Sequence, residues 1–454
     1  MEYLIVVAIA LVLFLVVHAS FDGHLLGKAL WILGLAFAAR LAVHAVVMRS
    51  GVLAYGGDNY VYETKALQIV EYWDRYGFQF VTSEQIPDLY SAALPCNLFA
   101  LIVYLCGGPA SLACTALVAF VACGLVIVMY RFALLLGAGE RSAFRLLAVM
   151  AFFPALLLHT SDMFKDGFSA FLAVTCLFLA VSNARSISVP KLLLLGPLLW
   201  TLWNVRPYMV FMCGLPILFA FTRLQRAQLL CFLAFLIAML VPVMLSSEVM
   251  FEDTPIAEVQ EQLERGQSET FRQANAEGGS GVVFQDEGNA WSALPSKLFY
   301  TLFSPFPWTE GSTVLQLAKV ETLFWYYFLY LAVRGAGLLW RRNPRALLIL
   351  LLFVVPGTIA YATTMSNIGL IFRQRIPIVM VVSLLSAVAW GAASPDRLTR
   401  PPATRAEGPR TRWTRPRPAT ARGPGVTPQT SQTSQTSCRA VGQPVDGVVA
   451  RTEP

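Results

Sequence analysis

The feature that most constrains this chain is a recurring apolar run of bilayer-spanning length. Examples are EYLIVVAIALVLFLVVHA from Glu2 and AQLLCFLAFLIAMLVPVML from Ala227, each close to the roughly 20 residues that a helix needs to cross the hydrocarbon. Hydrophobic residues make up 56% of the chain and charged residues only 13%, which excludes an ordinary soluble domain. We therefore predict an all-α polytopic membrane protein with about eleven transmembrane helices. The first run begins MEYL, with an acid where a cleaved signal peptide has Lys or Arg, and is predicted to be retained.

Basic residues predict the orientation of these helices, because short cytoplasmic loops retain Lys and Arg. Four clusters can be cytoplasmic together: Arg131 with Arg141 and Arg145, Arg185 with Lys191, Arg223 with Arg226, and Arg341 and Arg342 with Arg345. The predicted extracytoplasmic loops are then 49–93, 159–166, 203–208, 247–320 and 363–375, and the C-terminus is predicted to be cytoplasmic. We expect extracytoplasmic amphipathic helices within the longer loops.

The chain is predicted to divide into a membrane-embedded domain, residues 1–394, and a disordered basic tail, residues 395–454. The tail is rich in Pro, Thr, Ser and Arg and includes TSQTSQTS, a composition that cannot bury enough apolar surface to offset chain entropy. It contains ten arginines against four acids, a net +6 of the formal +7. We expect it to lie against anionic membrane lipid rather than nucleic acid.

The first outer loop contains the stretch AYGGDNYVYETKALQIVEYWDRYG, residues 54–77. Gly56 and Gly57 permit a tight turn, after which Asp58 or Asn59 can cap a helix that runs to about Tyr76. Alternatively, Asp58 is a carboxylate at the mouth of an intramembrane cavity, where it can accept a proton from a hydroxyl group. Aromatic residues predict an amphipathic face that lies in the membrane interface: Tyr60, Tyr62, Tyr72, Trp73 and Tyr76.

Three further outer loops place charges at the membrane edge. HTSDMFKDG carries Asp162, Lys165 and Asp166, WNVRPY carries Arg206, and NIGLIFRQRIP carries Arg373 and Arg375. Cations here depart from the positive-inside pattern and need partners. The partners are either the loop aspartates, in structural ion pairs, or the phosphate of a ligand at headgroup depth, to which Arg offers a two-pronged contact.

Metal and disulfide frameworks are not predicted. The four histidines, His18, His24, His44 and His159, show no ligand spacing, and only His159 lies near the predicted site. Seven of the eight cysteines fall in apolar stretches, so no disulfide scaffold is expected.

Four short motifs together resemble a known family. They are the Gly-Asp-x-Tyr loop (Gly57-Asp58-Asn59-Tyr60), the Pro…Ser-x-x-x-Lys-Asp connection in PALLLHTSDMFKDG, the Ser-Pro-Phe-Pro-Trp loop, and the Asn-x-Gly…Arg-x-Arg-x-Pro stretch before the last helix. In these motifs, across most of residues 50–392, the chain looks like bacterial glycosyltransferase 39-like membrane proteins of the glycosyltransferase C superfamily.

The resemblance implies an inverting hexosyl or pentosyl transferase of the bacterial inner (plasma) membrane, active in cell-envelope polysaccharide biosynthesis. Its donor is a polyprenyl-phosphate-linked sugar, and its acceptor is a glycan, lipid or protein. The family's catalytic Asp maps onto Asp58, and its Lys-Asp motif onto Lys165 and Asp166.

The other site assignments are our own inference. Asp162 joins Asp58 and Asp166 as a catalytic candidate, and we assign substrate or phosphate binding to Lys165, Arg206, Arg373, Arg375, Tyr62 and His159. The first loop lacks the Asp-x-Asp of metal-dependent members, which argues against a divalent metal but leaves it open. No other cofactor is implied.

Two other functional classes stay open, as does an accessory subunit without chemistry. A polysaccharide polymerase or ligase that acts on lipid diphosphate-linked glycans also uses outer-loop arginines, and it predicts that Arg373 and Arg375 matter more than Asp58. A transporter or flippase ranks last, because internal repeats are not apparent and charges within the spans are few.

Overall fold

The computed structural model describes residues 1–50, 57–221 except 88 and 90, 291–308, 313–364 and 368–392, with a few isolated positions between 264 and 289. All regular structure in these ranges is helical. The predicted span from Ala227, most of the 247–320 loop and the predicted tail lie outside the described residues.

Fifteen helices, numbered here in chain order, make up the described structure. They are α1 (Glu2–Ser20), α2 (Gly23–Val43, which continues as a π-helical turn His44–Met48), α3 (Asp58–Tyr76), α4 (Ala93–Cys106), α5 (Ser111–Leu135), α6 (Glu140–Ala151), α7 (Pro154–Leu158), α8 (Asp166–Arg185), α9 (Val189–Trp203), α10 (Pro207–Phe221), α11 (Leu294–Phe303), α12 (Thr313–Arg342), α13 (Pro344–Thr364), α14 (Ile368–Gln374) and α15 (Ile376–Ala392).

Six segments are long and apolar enough to cross a membrane: Glu2–Ser20, Gly23–Met48, Ser111–Leu135, Asp166–Arg185, Ala318–Arg342 and Pro344–Thr364. Apolar stretches in α4, α9, α10 and α15 are 10–17 residues long, which at 1.5 Å per residue is shorter than the roughly 30 Å hydrocarbon layer. The predicted all-helical membrane fold is confirmed at this level. The predicted number of about eleven spans is not confirmed, because six described segments are long enough to cross.

Helices α5 and α8 pack together at the centre, and α12 runs along α15. The close approach of α12 to α15 depends on Gly335, because a Cβ atom at that position would overlap the carbonyl of Leu385. Gly167, in the first turn of α8, similarly lies against Thr160, whose Cγ2 would be 2.9 Å from an added Cβ. This second contact brings the loop before α8 close to the rest of the bundle.

Helix α3 has the predicted bounds but not the predicted cap or aromatic face. Gly57 occupies the N-cap position and no side chain caps the helix, so the capping role proposed for Asp58 or Asn59 is wrong. The aromatic residues do not share a face: Tyr62 and Trp73 are buried, whereas Tyr76 is exposed. The buried side of α3 packs on α4, because its apolar residues recur at helical spacing toward that neighbour.

Candidate active site

Charged residues from four sequence-distant segments meet at the start of α3 and α8. Arg373, near the end of α14, donates from Nε to Asp166 Oδ2 at 2.6 Å. Its Nη1 donates to Oδ2 of Asp58, the first residue of α3. Arg206, immediately before α10, donates to the other oxygen of Asp166. Four of the five predicted outer loops therefore contribute a residue to one ion-pair cluster.

A polar chain extends this cluster on the α10 side. Arg206 Nη1 donates to the hydroxyl of Tyr208 at 3.1 Å, and that hydroxyl donates to Gln374 Oε1 at 3.3 Å. Arg206 is only 4% exposed, so burial would lower its pKa, but Tyr208 and Asp166 raise the pKa above its ordinary value. The guanidinium therefore stays charged, and it holds Asp166 in place.

Asp58 differs from the other carboxylates in its exposure. Its side chain is 50% exposed, whereas the side chain of Asp166 is 2% exposed. Arg373 contacts only Oδ2 of Asp58, and Oδ1 makes no hydrogen bond with other described residues. Asp58 therefore has one oxygen available to accept a proton or hydrogen bond from a ligand.

Lys165, the residue before α8, is the cation of the cluster without a carboxylate partner among the described residues. Its Nζ donates to the backbone oxygen and to Oγ of Ser91, each at 2.8 Å, and lies 5.9 Å from the ring centroid of Tyr62. Burial, followed by the nearby charge of Arg206, lowers the pKa of Lys165 to about 7. A nearby anion would favour its charged form.

Asp162 lies in a second, separate polar cluster. It is fully buried and accepts hydrogen bonds from Asn59 Nδ2 at 2.8 Å, Arg49 Nη2 at 3.1 Å and its neighbour's amide, Met163 N, at 2.7 Å. His44 Nδ1 lies 3.5 Å from the carboxylate. Burial alone would raise the pKa of Asp162, but His44 and Arg49 hold it below the usual value.

The predicted catalytic roles of Asp162 and Asp166 fit this geometry poorly. Both side chains are almost inaccessible, and both oxygens of each carboxylate already accept hydrogen bonds. Neither can take a proton from a substrate without losing buried partners. They instead hold the groups around Asp58: Asp162 binds the adjacent Asn59, and Asp166 binds Arg373.

Tyr62 and His159 lie beside the cluster but do not act as cationic phosphate ligands. Burial raises the pKa of Tyr62 above its usual value, so its hydroxyl stays protonated. His159 is fully buried, with its ring centroid 6.1 Å from that of Phe164. Burial lowers the pKa of His159 to about 3, so the imidazole is neutral near pH 7. A neutral imidazole can still donate or accept a hydrogen bond, so the predicted role of His159 in substrate or phosphate binding stays a prediction.

Arg375 lies apart from the cluster. Its Nη1 donates to the backbone oxygen of Ser304 at 2.6 Å, and its guanidinium lies over the rings of Trp325 and Phe372, 5.5 and 5.1 Å from their centroids. Burial lowers the pKa of Arg375 to about 10, an effect that the charge of Glu321 partly offsets. Arg375 makes neither of the contacts that join Arg373 to Asp58 and Asp166, and its predicted role in phosphate binding stays a prediction.

Sequence reasoning did not assign roles to Arg49 or Glu63, which form an ion pair of 2.7 Å. Arg49 could have been identified from the rule applied to Arg206, because it too is a cation at the predicted outer end of a span. Within the described ranges, no three His, Cys, Asp or Glu side chains are grouped so that they could hold a metal ion.

Comparisons with known proteins identify no relative: no protein-family model, curated protein or solved structure matches the chain. Function must therefore be argued from the side chains that the fold brings together.

Proposed function

We propose that this protein is a glycosyltransferase of the bacterial inner membrane that moves a sugar from a polyprenyl-phosphate-linked donor to an acceptor hydroxyl on the extracytoplasmic face. The observation that supports this most is the meeting of Asp58, Asp166, Arg206 and Arg373, from four separate segments, with Lys165 beside Asp166 in the chain. The glycosyltransferase 39-like motifs in the sequence include Asp58, Lys165, Asp166 and Arg373, whereas the assignment of Arg206 is our own inference. The proposed topology has many spans and a cytoplasmic C-terminus.

Asp58 is the proposed general base. Its Oδ1, which has no hydrogen-bond partner among the described residues, accepts the hydrogen bond of the acceptor hydroxyl and takes the proton as the new glycosidic bond forms. Arg373, bonded to Oδ2, holds the carboxylate in position. The pKa of Arg373 supports this role: burial would lower it, but Asp166 and Asp58 raise it above its ordinary value.

Lys165 and Arg373 are the proposed ligands of the departing phosphate. The bond from the anomeric carbon to the phosphate oxygen breaks as the acceptor attacks from the opposite side, and negative charge grows on that oxygen. Lys165 has no carboxylate to neutralise it among the described residues, and Nη2 of Arg373 is used by neither aspartate. Cations held in place in this way stabilise the developing charge without reorganising.

The polymerase or ligase alternative has less support. That reading needs two outer-loop arginines for the two phosphates of a lipid diphosphate. Arg375 instead donates to the backbone oxygens of Ser304 and Thr301, and Arg206 is buried and paired with Asp166. Arg373 is therefore the one arginine of the described cluster that remains for a phosphate.

Replacing Asp58 with Asn tests the proposal, because the amide keeps the shape but cannot act as a base. Membranes containing the Asp58→Asn protein should transfer radiolabelled sugar from polyprenyl-phosphate donors at least about 100-fold more slowly than wild type, the usual scale of general-base catalysis. Asp74→Asn, at an exposed aspartate in the same helix, is the matched control and should be fully active. Normal transfer by an equally abundant Asp58→Asn protein would refute the assignment.

A further inference from the structure

Helix α11 has polar side chains on its inner side and aromatic side chains on its outer side. Lys297, Thr301 and the residue that ends the helix, Ser304, are all buried. Phe299, in contrast, is 52% exposed, and Trp308, four residues beyond Ser304, is 76% exposed. A helix that faces water has the opposite arrangement, with its apolar side against the protein. The polarity of α11 therefore indicates that its outer side contacts a medium other than water.

Helix α3 shows how a water-facing helix of this protein differs from α11. Its buried side carries apolar residues such as Trp73, and its exposed side carries charges such as Glu71 and Arg75, which pair with each other. Residues 291–308, by comparison, contain one charged residue, Lys297, and it is buried. An exposed apolar surface without charge marks contact with a membrane or with another protein.

A row of aromatic rings joins the outer side of α11 to α12. From Trp308 the row passes to Phe306, Phe299, Phe303 and Tyr326, with successive ring centroids 5.1, 5.5, 4.9 and 5.9 Å apart. Tyr326 belongs to the part of α12 that is long and apolar enough to cross a membrane. The same part exposes large apolar side chains along its length: Val320, Leu323, Phe324, Tyr327, Tyr330 and Val333. The outer side of α11 is therefore continuous with the exposed apolar side of α12.

Two hydrogen bonds fix the level of α11 along α12. Trp325 Nε1 donates to the backbone oxygen of Leu302 at 2.6 Å, and the hydroxyl of Tyr326 donates to the backbone oxygen of Phe303 at 2.6 Å. The two donors lie about two turns into the apolar segment that begins at Ala318, roughly 12 Å along its axis at 1.5 Å per residue. The end of α11 therefore lies alongside the apolar segment of α12 and not beyond it.

The end of α11 also adjoins the helix junction that carries the charged cluster. Arg375 donates to the backbone oxygens of Thr301 and Ser304. Arg373, two positions earlier in the chain, pairs with Asp58. Because one junction between α14 and α15 contacts both elements, α11 lies on the same side of the membrane as Asp58.

We infer that α11 and residues 304–308 form a lipid-binding surface, with Phe299, Phe303 and Trp308 against the acyl chains and glycerol region of the bilayer on the Asp58 side. Aromatic rings suit this region because their apolar bodies contact the chains, while a Trp N–H can reach the polar groups above them. The described part of the surface exposes no charge that would select an anionic headgroup. A second copy of the chain is the competing occupant, and the continuity with the membrane-spanning part of α12 favours lipid.

Photo-crosslinking tests the inference. p-Benzoylphenylalanine, which bonds to nearby C–H groups on illumination, replaces Phe299 or Trp308 in the full-length protein in phosphatidylcholine vesicles, and mass spectrometry identifies the products. Both positions should form phospholipid adducts, with a yield similar to that of the same probe in place of Leu323 on the exposed side of α12. The probe in place of Asp74, which is exposed on α3, is the control and should form none. Trp308 lies outside the helix, so the probe there reports on the surface even if the probe at Phe299 disturbs α11.

Three results would overturn the inference. The first is a lack of lipid adducts at Phe299 and Trp308 when Leu323 forms them. The second is a covalent dimer at these positions, which would assign the surface to a second copy of the chain. The third is an adduct that forms only after phosphatidylglycerol is added, which would mean that anionic headgroups direct the contact. The inference does not rest on the proposed function: the Asp58→Asn protein should form the same adducts even when sugar transfer is lost.

Discussion

The two arginines of the Arg373-Gln374-Arg375 motif have opposite surroundings. Arg373 bridges two carboxylates beside the exposed end of α3. Arg375, two positions later, is 2% exposed and bonds to backbone carbonyls near α11. Helix α14 ends at Gln374 and α15 begins at Ile376, so the two side chains leave the backbone on either side of a helix junction. Residue type and spacing alone therefore do not determine which arginine belongs to a site.

Removing the carboxylate that both site arginines share should have the largest effect on stability. Asp166→Ala leaves the Arg206 and Arg373 guanidiniums without their buried partner, and breaking a buried ion pair in this way costs about 3–5 kcal/mol. We expect a marked fall in the apparent Tm of the purified protein in detergent.

The matched control is Asp74→Ala, whose carboxylate is exposed on α3 and whose loss should leave the Tm within about 1 °C of wild type, as for most surface substitutions. If the Asp166→Ala protein is as stable as this control, the buried ion pairs of Asp166 contribute little to stability. The difference between Arg373, which pairs with carboxylates, and Arg375, which bonds to backbone carbonyls, would then have no energetic consequence.

Changing each arginine to lysine should separate their roles in activity. Lysine is a point charge and cannot reproduce the fork by which Arg373 binds Asp58 and Asp166 with two different nitrogens. We expect Arg373→Lys to slow sugar transfer about 100-fold, as for loss of a stabilising group at a reacting centre. Transfer per folded molecule in Arg375→Lys should stay within about threefold of wild type. Loss of transfer in both arginine variants, with a fully active Asp58→Asn protein, would favour the polymerase or ligase alternative.

Much of this site could be predicted from the sequence because its elements are set by local signals. The apolar runs defined the helices, and Gly-Gly-Asp followed by a mixed polar helix gave the bounds of α3. Charges that violate the positive-inside pattern needed partners, and for Arg206 and Arg373 these are Asp166 and Asp58.

The directions of individual side chains could not be predicted. Arg375 turns toward Ser304 because of the junction between α14 and α15, and Asp162 turns toward Arg49 and His44. Both outcomes depend on which neighbouring helices pack against a short connection, and the sequence pattern of the connection does not contain that information. The burial of Tyr62 has the same origin, since α4 covers only one side of α3.

Replacing Arg375 with an apolar residue should affect stability rather than catalysis. Arg375→Met removes the donor to the carbonyl of Ser304, which is buried, and an unsatisfied buried acceptor costs about 1–3 kcal/mol. The Tm of the variant should fall, by less than that of Asp166→Ala. Its transfer rate per folded molecule should be close to wild type. If the rate falls as much as in Arg373→Lys with no change in Tm, Arg375 acts at the site and the proposed division between the two arginines is wrong.

The smallest expected effect concerns pH and distinguishes Lys165 from both arginines. With its pKa lowered to about 7, the Lys165 ammonium is charged below that pH and loses its proton as the pH rises through it, whereas a lipid-linked sugar phosphodiester keeps its charge throughout. The affinity for the donor should therefore fall by about threefold to tenfold between pH 6 and pH 8, on the scale of one lost charged contact. Lys165→Arg should remove this pH dependence because arginine stays charged, and Lys165→Met should show the weaker, high-pH affinity at every pH. A pH profile in Lys165→Met that matches the wild type would assign the titration to another group and remove Lys165 from the phosphate contact.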